Sequence, residues 1–545
     1  MVVRRYTQGN PSNRPFILDS MYQSGLLVAA LLPWLNPFSP GPTPQVVQSL
    51  VSLICVALLF LAYLRPMDLV SLVRLSARAW LIAALASSVI GLLQYYGTSA
   101  VFTPWINSAK LGEAFANLRQ RNQFATLTNI GLAALLWWVT CCRLPLASPE
   151  EATHSSLVTA PKFPTAWSLA AAVLLAIGNA ASSSRTGLLE LLMLAGMFLV
   201  WGCFKQPGVG RVMLAAAIAY SVAVFALPRL AGLDPTSHGM LARLHGGAPE
   251  CDSRLTLWRN VLYLIAQKPW LGWGWGELDY AHFMTLYPGP RFCEILDNAH
   301  NLPLHLAVEL GLPVAMLFCG LGFWLVWRSQ PWREANPTRQ MAWAVLALIM
   351  LHSMLEYPLW YGPFQIAAGL CICLLCSTGR TVHADTAGTE KRHNEHVAVP
   401  PRIAKVVAGC LSLLMLAGVA YAGWDYHRIS QIYLAPNMRS PAYRENTLEK
   451  IGGSWLFRNQ VRFAELTTTE VTTDNAAQIN ALAHDLLHFS PEARVAKKLI
   501  ESAVMLGRDD EARLHLARYR AAFPIEHARW AQTQELPLDA PAPAE

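Results

Sequence analysis

The sequence has few charged residues for its length. Asp, Glu, Lys and Arg make up 14% of its 545 residues, whereas hydrophobic residues make up 54%. Soluble globular domains contain about 25% charged residues, so this composition excludes a chain built only of such domains. Long apolar runs recur instead, several of them near the roughly 20 residues that a helix needs to cross a bilayer. The composition predicts an all-α polytopic membrane protein.

Basic residues exceed acidic ones only slightly. The 42 Lys and Arg and the 35 Asp and Glu give a formal net charge of +7. In a membrane protein, a basic excess first indicates loops that face the cytoplasm. We therefore expect the lipid bilayer, and no nucleic acid, as a partner.

Eleven apolar runs predict about eleven transmembrane helices, give or take one or two because several runs are short or contain Gly or Pro. The runs lie near 17–35, 46–63, 79–96, 123–141, 166–181, 187–203, 212–227, 302–327, 341–356, 362–377 and 403–423. The first run ends without a small-residue cleavage site, so we interpret it as an uncleaved span whose N-terminus is cytoplasmic.

Lys and Arg are concentrated in alternate connections between the runs. These connections contain Arg65, Arg74 and Arg78, Arg143 and Lys162, Lys205 and Arg211, Arg328 to Arg339, and Arg380 to Lys405. The positive-inside rule places them in the cytoplasm. An odd number of spans then puts the C-terminal segment outside.

Two segments are too polar to cross a membrane: a large loop and a C-terminal segment with apolar residues at helical spacing, typical of helical repeats. The last residues are rich in Pro and Ala, which predicts disorder. The predicted domains are N-terminal transmembrane helices 1–7 (1–227), a large periplasmic loop (228–301), C-terminal transmembrane helices 8–11 (302–423), a periplasmic helical-repeat-like domain (424–530) and a disordered tail (531–545).

Cysteine is scarce outside the apolar runs and their cytoplasmic ends. Of the 11 cysteines, only Cys251 and Cys293 lie in the large loop. In an oxidising compartment these two are natural disulfide partners, with free buried thiols as the alternative. The spacing Cys371-x-Cys373-x-x-Cys376 lies in an apolar run and indicates packing, so we expect no metal site.

Polar residues are gathered in four connections on the predicted external side: Arg119–Gln123, Ser182–Thr186, the large loop up to Asn301, and Glu356–Tyr361. There Arg185 and Arg254 could hold a diphosphate and stabilise the negative charge that develops as its bond to a sugar breaks. A neutral His300 could accept a proton from an attacking hydroxyl. The structural alternatives are an arginine that anchors a turn or binds a lipid headgroup, and a histidine that caps or packs a helix.

The order of these motifs resembles the O-antigen ligase/polymerase superfamily, and within it the PglL-type bacterial protein O-oligosaccharyltransferases. The matching strings are Arg121–Thr126, Ser183–Gly187, Ser253-Arg254, Asp297–Asn301 and Glu356–Tyr361. The resemblance covers roughly residues 20 to 525. The middle strings are similar to those of O-antigen ligases, and the first and last are more similar to those of protein-glycosylating members.

The resemblance implies an enzyme of the bacterial inner membrane, multi-pass, with its active site facing the periplasm. It implies transfer, without a metal or cofactor, of a preassembled oligosaccharide from undecaprenyl diphosphate to Ser or Thr hydroxyls of a periplasmic protein such as a pilin. His300 then matches the essential histidine. The residues expected to bind the donor diphosphate are Arg185, Arg254 and Arg121. The residues expected to support them are Gln123, Asn122, Glu356, Tyr357 and Tyr361, with Gln120, Asn122 and Tyr357 as substitutes for Gln123 and Tyr361.

Two other functions remain open. The same chemistry on a sugar hydroxyl would make the chain an O-antigen ligase or polymerase. A transporter of lipid-linked sugars would carry charged side chains near the middle of its spans. Here the polar residues lie at the predicted outer ends, which favours an enzyme.

Overall fold

The computed structural model describes residues 16–62, 64, 68–141, 165–246, 250–378 and 402–535. All regular secondary structure in these ranges is helical, and they contain no strand. The predicted all-α class is therefore confirmed.

The helices fall into three groups along the chain. The first group is α1 (Phe16–Leu35), α2 (Pro44–Ala62), α3 (Leu69–Tyr95), α4 (Arg121–Cys141), α5 (Thr165–Ser182), α6 (Arg185–Val200) and α7 (Pro207–Leu230). The second is α8 (Gly239–His245), α9 (Arg254–Gln267), α10 (Leu278–Met284), α11 (Leu302–Leu310), α12 (Leu312–Ser329), α13 (Pro337–Ser353), α14 (Gly362–Ser377) and α15 (Arg402–Ser430). The third is α16 (Thr447–Ile451), α17 (Arg458–Thr468), α18 (Ala476–Leu487), α19 (Ala493–Met505), α20 (Asp509–Ala522) and α21 (Pro524–Glu535).

Ten of the eleven apolar runs each overlap one helix, but fewer helices meet the length of a membrane span. Within the described residues, 7 helices are long and apolar enough to cross a membrane, and the segment Tyr22–Leu35 of α1 and the helix α14 are shorter apolar helices. The helices α6 and α13 have 16 and 17 residues. The chain is a multi-pass membrane protein with seven candidate spans among the residues that the structure describes, and the count of about eleven spans stays a prediction.

The run predicted at 302–327 is not one helix, because it breaks at Gly311. This glycine has φ +86, and a Cβ there would clash with the carbonyl of Trp270. The break lets the turn after α9 pack against the chain: the amide of Leu312 donates to Pro269 O at 2.8 Å, and that of Trp273 donates to Val308 O at 2.8 Å. The result is a short buried α11 and a separate long α12.

The core is built around α4, which is buried from Gln123 to Cys141 and contacts α3, α5, α6 and α13. Small residues permit this close packing. A Cβ at Gly131 would clash with Ala84 of α3, and one at Gly178 of α5 would clash with Ser88 of α3. Small residues at helix contacts are typical of membrane bundles, where van der Waals packing drives association.

The C-terminal helices form their own hydrophobic core and dock on the large loop. Phe283 of α10 is buried in that core. His488 at the end of α18 stacks on Tyr280 at 3.8 Å between ring centroids, and its Nδ1 lies 2.7 Å from Glu277. Arg518 of α20 donates to Met284 O at 3.0 Å.

Three helices extend beyond the limits of the predicted domains. The helix α7 continues to Leu230 and α15 to Ser430, beyond the limits set at 227 and 423, because both helices extend past their apolar stretch. The helix α21 runs to Glu535, so residues 531–535 are helical rather than part of a disordered tail. The rest of the predicted tail, 536–545, lies outside the described residues.

Candidate active site

Glu356 is the centre of a polar cluster at one end of the bundle. Its carboxylate accepts hydrogen bonds from Gln120 Nε2 at 3.2 Å and Asn122 Nδ2 at 3.1 Å, and it contacts His300 Nδ1 at 2.6 Å. Arg254 forms an ion pair with the same carboxylate. The side chain is only 6% exposed. Four separate parts of the chain therefore meet at one buried carboxylate.

The charge on Glu356 is maintained by its partners. Burial by itself raises the pKa of this carboxyl, but the hydrogen bond and charge of His300, with the charge of Arg254, outweigh it. The net pKa lies below the ordinary value for Glu. Because a buried carboxylate is costly unless paired, the group holds His300 and Arg254 in place.

His300 is fixed by the backbone as well as by Glu356. Its φ is +49, a left-handed conformation that is strained for a residue with a side chain. Its amide donates to Asn298 Oδ1 at 2.9 Å. The next residue, Asn301, caps α11 by accepting from Leu304 N, and its side chain donates to Met354 O at 3.0 Å. These bonds tie the histidine to the start of one helix and the end of another.

Three helices at this end of the bundle begin with an arginine: α4 with Arg121, α6 with Arg185 and α9 with Arg254. Ser184 and Ser253 cap α6 and α9 by accepting from backbone amides of those helices. The helix macrodipole favours anions at an N-terminus and disfavours cations. Placing arginines there therefore reinforces the attraction for an anion, at a cost to the free protein.

Arg243 of α8 extends this cationic cluster. Burial lowers the pKa of its guanidinium, and the charges of Arg121 and Arg185 lower it further, whereas Glu113 and Glu356 act in the opposite direction. Arg121 pairs with Glu113 at 2.5 Å. Guanidinium groups that lie close together repel one another, and a bound anion offsets this repulsion.

The predicted diphosphate-binding arginines are not equally close to the histidine. Arg254 and His300 both contact the carboxylate of Glu356, and the side chain of Arg254 is partly exposed. The exposed side chain of Arg185 donates to Gly246 O at 2.8 Å. It belongs to the same end of the bundle, because the neighbouring Ser184 donates to Asn122 Oδ1 at 2.6 Å, and Asn122 bonds Glu356.

Tyr357 lies beside His300, and Tyr361 lies beside Tyr357. The ring of Tyr357 meets the imidazole edge-on at 4.9 Å between centroids, and Tyr361 stacks on Tyr357 at 5.9 Å. Burial raises the pKa of both phenols, so both are neutral near pH 7 and can donate hydrogen bonds. Gln123, which is 1% exposed, is close enough to influence Tyr361.

A buried polar network lies one to two turns further into the bundle. Thr126 Oγ1 is 2.7 Å from Glu190 Oε1 and 2.8 Å from His352 Nδ1. Asn129 Nδ2 donates to Glu190 Oε2 at 3.0 Å, and Asn179 Nδ2 donates to Asn129 Oδ1 at 2.9 Å. Polar groups at such depth are costly unless paired. The network fixes α4, α5, α6 and α13 relative to one another, and with them the site residues at the ends of those helices.

A disulfide joins two parts of the large loop that lead into the site. Cys251 and Cys293 are bonded, with their Cα atoms 5.2 Å apart, and the amide of Cys293 donates to Cys251 O. The bond links the residues just before Arg254 to those just before His300. In the CxCxxC run, Cys371 is buried, and Cys371, Cys373 and Cys376 are all free.

The structure brings every sequence-predicted site residue to one end of the bundle. His300, Glu356, Arg254 and Asn122 share direct contacts, while Arg121 and Arg185 belong to the surrounding cationic cluster. The sequence pattern did not indicate Glu113 or Arg243, and it assigned Glu356 only a supporting part. The one available signal was an acidic residue within an otherwise uncharged turn that is predicted to lie on the same side as the arginine-rich loops.

Three family models match the chain, in chain order. Residues 114–139 match a protein glycosylation ligase model, 170–319 an O-antigen ligase model, and 340–536 the C-terminal model of a virulence factor membrane-bound polymerase. The first match contains Arg121, the second contains Arg185, Arg254 and His300, and the third contains Glu356. The matches therefore meet at the polar cluster.

Two proteins of Acinetobacter baylyi are distantly similar to the chain. A general O-oligosaccharyltransferase is 24% identical over 305 residues, which cover 54% of this chain and 48% of that protein. A ComP-specific O-oligosaccharyltransferase is 24% identical over 275 residues, covering 50% and 45%. The chain spans about half the length of the curated relatives it matches. The chain is thus similar to O-antigen ligases over residues 170–319 and to a protein glycosylation ligase over residues 114–139.

Proposed function

We propose that the chain is an O-oligosaccharyltransferase that moves a preassembled glycan from undecaprenyl diphosphate to Ser or Thr hydroxyls of a protein. The observation that carries this proposal is the contact of His300 with the buried Glu356, beside three helices that each begin with an arginine. The proposed general base and the proposed anion-binding site thus lie next to each other, as the transfer reaction requires.

His300 acts as the general base. When Nδ1–H donates to Glu356, the other ring nitrogen, Nε2, carries the lone pair that accepts a proton. The acceptor hydroxyl gives its proton to Nε2 as its oxygen attacks the anomeric carbon of the glycan. The carboxylate of Glu356 stabilises the imidazolium that forms, because its pKa keeps it ionised.

The arginines stabilise the leaving group. As the new bond to the hydroxyl oxygen forms, the bond between the anomeric carbon and the phosphate oxygen breaks, and undecaprenyl diphosphate leaves with the electron pair. Arg254, Arg185 and Arg121 are the groups we assign to the developing negative charge, together with the N-termini of their helices. Arg243 supplements them.

The site faces the periplasm in this proposal. The opposite end of the bundle carries basic residues in helix ends and connections: Arg74 and Arg78 in the first turns of α3, Lys205 and Arg211 around the start of α7, and Arg328, Arg333 and Arg339 around the turn from α12 to α13. The positive-inside rule favours the cytoplasm for that end. The disulfide supports an oxidising compartment for the large loop. Eleven apolar segments, with α6 and α13 as short spans, are consistent with this orientation.

A protein acceptor, such as a pilin, is supported by the match of residues 114–139 to a protein glycosylation ligase. The alternative is a sugar hydroxyl acceptor, in O-antigen ligation or polymerisation. It is favoured by the matches of 170–319 and 340–536. Both reactions use the same base and the same leaving group.

Reconstitution tests the proposal. The purified chain is incubated with a defined undecaprenyl-diphosphate-linked glycan and either a pilin, purified lipid A-core or a second copy of the lipid-linked glycan. Mass spectrometry should find the intact glycan on Ser or Thr of the pilin. Transfer only to a sugar acceptor would replace this function by the alternative, and no transfer to any acceptor would contradict both.

A further inference from the structure

A cluster of potential metal ligands lies in the C-terminal helical domain, within the part of the chain that the structure describes. It consists of His484 of α18 with Glu511 and His515 of α20. One ligand atom from each residue lies within 4.8 Å of the other two. None of the three residues belongs to the cluster around Glu356.

The spacing follows from the helices. Glu511 and His515 are four residues apart on α20, and side chains at this spacing lie on one face of a helix. That face is turned toward α18, because His484 Nε2 is 2.7 Å from Glu511 Oε1 and the two imidazoles meet edge-on at 5.5 Å between centroids.

The ion pair of His484 and Glu511 does not account for His515. The side chain of His515 is 3% exposed, and its Nδ1 is buried without a hydrogen-bond partner. A buried polar atom left unpaired costs roughly 1–3 kcal/mol. The third member of the cluster is thus a buried ligand-type group that the protein itself does not satisfy.

Neighbouring side chains orient the carboxylate. Asn480 Nδ2 donates to Glu511 Oε1 at 3.1 Å, and Arg508 lies 3.6 Å from Glu511 Oε2. Arg508 also donates to Asn480 Oδ1 at 2.8 Å. Hydrogen bonds of this kind hold ligand carboxylates in metal sites. Arg508 engages Oε2 and leaves Oε1 on the side of His484.

We propose that His484, Glu511 and His515 bind a divalent transition metal, zinc by preference. Two imidazoles and one carboxylate form a ligand set that suits Zn²⁺, with a fourth position for water. The metal would cross-link α18 to α20 and stabilise the domain that docks on α10. It plays no part in glycan transfer, so the site and the proposed function stand or fall separately.

The test uses the full chain without an affinity tag, purified in detergent micelles. It is stripped with a chelator, dialysed against zinc and assayed for bound metal by mass spectrometry. His484→Gln is the main variant, since this partly exposed side chain can be replaced without disturbing the core. His527→Gln on α21 is the matched control. The histidines other than His484 and His527 are present in all three proteins, so any zinc that they bind adds equally to each measurement.

We expect the wild type and His527→Gln to retain one zinc more than His484→Gln, and zinc to raise the melting temperature of the first two only. Cobalt should give a tetrahedral visible spectrum in the same two proteins. Glu511→Gln, which keeps an oxygen for Asn480, should weaken zinc affinity by roughly 100-fold or more, since even changes around the ligands cost about 10–100-fold. Equal zinc content and equal melting shifts in the wild type and His484→Gln would overturn the proposal.

Discussion

His300 Nδ1 and Glu356 Oε2 lie 2.6 Å apart, although 56 residues separate them in sequence. The contact joins the loop that precedes α11 to the turn that follows α13. Because the contact uses Nδ1, the second ring nitrogen of His300, Nε2, remains available to accept a proton. In the proposed mechanism, Glu356 is a positioning residue that acts through His300 rather than on the substrate.

Replacing Glu356 by Gln keeps the shape of the side chain and removes its charge. We expect kcat to fall roughly 100-fold or more with a smaller change in KM for the acceptor, because the imidazolium loses its anionic partner. Steady-state rates of transfer with varied acceptor check this, and Glu356→Asp should restore part of the rate. A wild-type kcat in Glu356→Gln would limit Glu356 to a structural role.

Replacing Arg254 or Arg185 by Ala should impair use of the lipid-linked donor. A charge-assisted hydrogen bond is worth about 1.5–3 kcal/mol, which corresponds to roughly 10–100-fold in kcat/KM for the donor. Arg259→Ala is the matched control, since Arg259 is an exposed residue on the same helix as Arg254. Steady-state kinetics with varied donor separate the variants. Equal effects of Arg254→Ala and Arg259→Ala would argue against a specific diphosphate site.

Reducing the Cys251–Cys293 bond, or replacing both residues by Ser, should loosen the large loop. For a sequence separation of 42 residues the loss of loop constraint is about 4 kcal/mol. We expect faster hydrogen exchange in α9 and in the segment before His300, together with lower activity. The double replacement in the absence of reductant distinguishes this effect from general damage by the reductant. Unchanged exchange and activity would show that the bond is dispensable.

The buried His282 and the partly buried Asp279 of the large loop should give opposite pH dependence. Burial, with the charge of Arg291, lowers the pKa of His282 from 6.5 to about 3, so its contribution to stability falls as pH drops below about 6.5. Burial, with the charges of Glu277 and Asp297, raises the pKa of Asp279 from 3.8 to about 7, so its contribution falls as pH rises from about 4 to 7.

In the wild type, stability changes with pH in opposite directions for these two groups between about pH 4 and 6.5. His282→Gln should leave a loop that loses stability as pH rises in this range, and Asp279→Asn one that loses stability as pH falls. Hydrogen exchange of α10 at pH 4.5 and 6.5, corrected for the intrinsic rate, measures both. Slopes of the same sign in the two variants would contradict the assignment.

The sequence indicated the helices well, because long apolar runs with few alternatives form helices in a membrane. It did not indicate the break in the run at 302–327. Glycine is required at position 311 because the backbone of Trp270, which is distant in sequence, packs against it. The sequence also did not define the ends of the helices. Hydropathy measures composition, whereas the helix ends at Arg185 and Val200 are set by capping and turns.

The candidate site was predictable in its residue types but not in its connections. The motifs indicated His300 and the arginines because these residues are unusual in a chain with so little charge. That Glu356 joins them depends on how α13 and α14 pack, which one sequence does not reveal. Arg243 stands in a stretch without a motif, and only its neighbours Arg121 and Arg185 make it part of the site.

Single-turnover transfer by His300→Ala tests the central claim most directly. The protein is saturated with lipid-linked glycan and mixed with acceptor, and His427→Ala, at an exposed position near the end of α15, serves as the control. We predict a rate about 10²–10⁴-fold below the wild type for His300→Ala, with donor binding preserved, and an unchanged rate for His427→Ala. A wild-type rate in His300→Ala would show that the proton is taken by another group, and the proposed mechanism would be wrong.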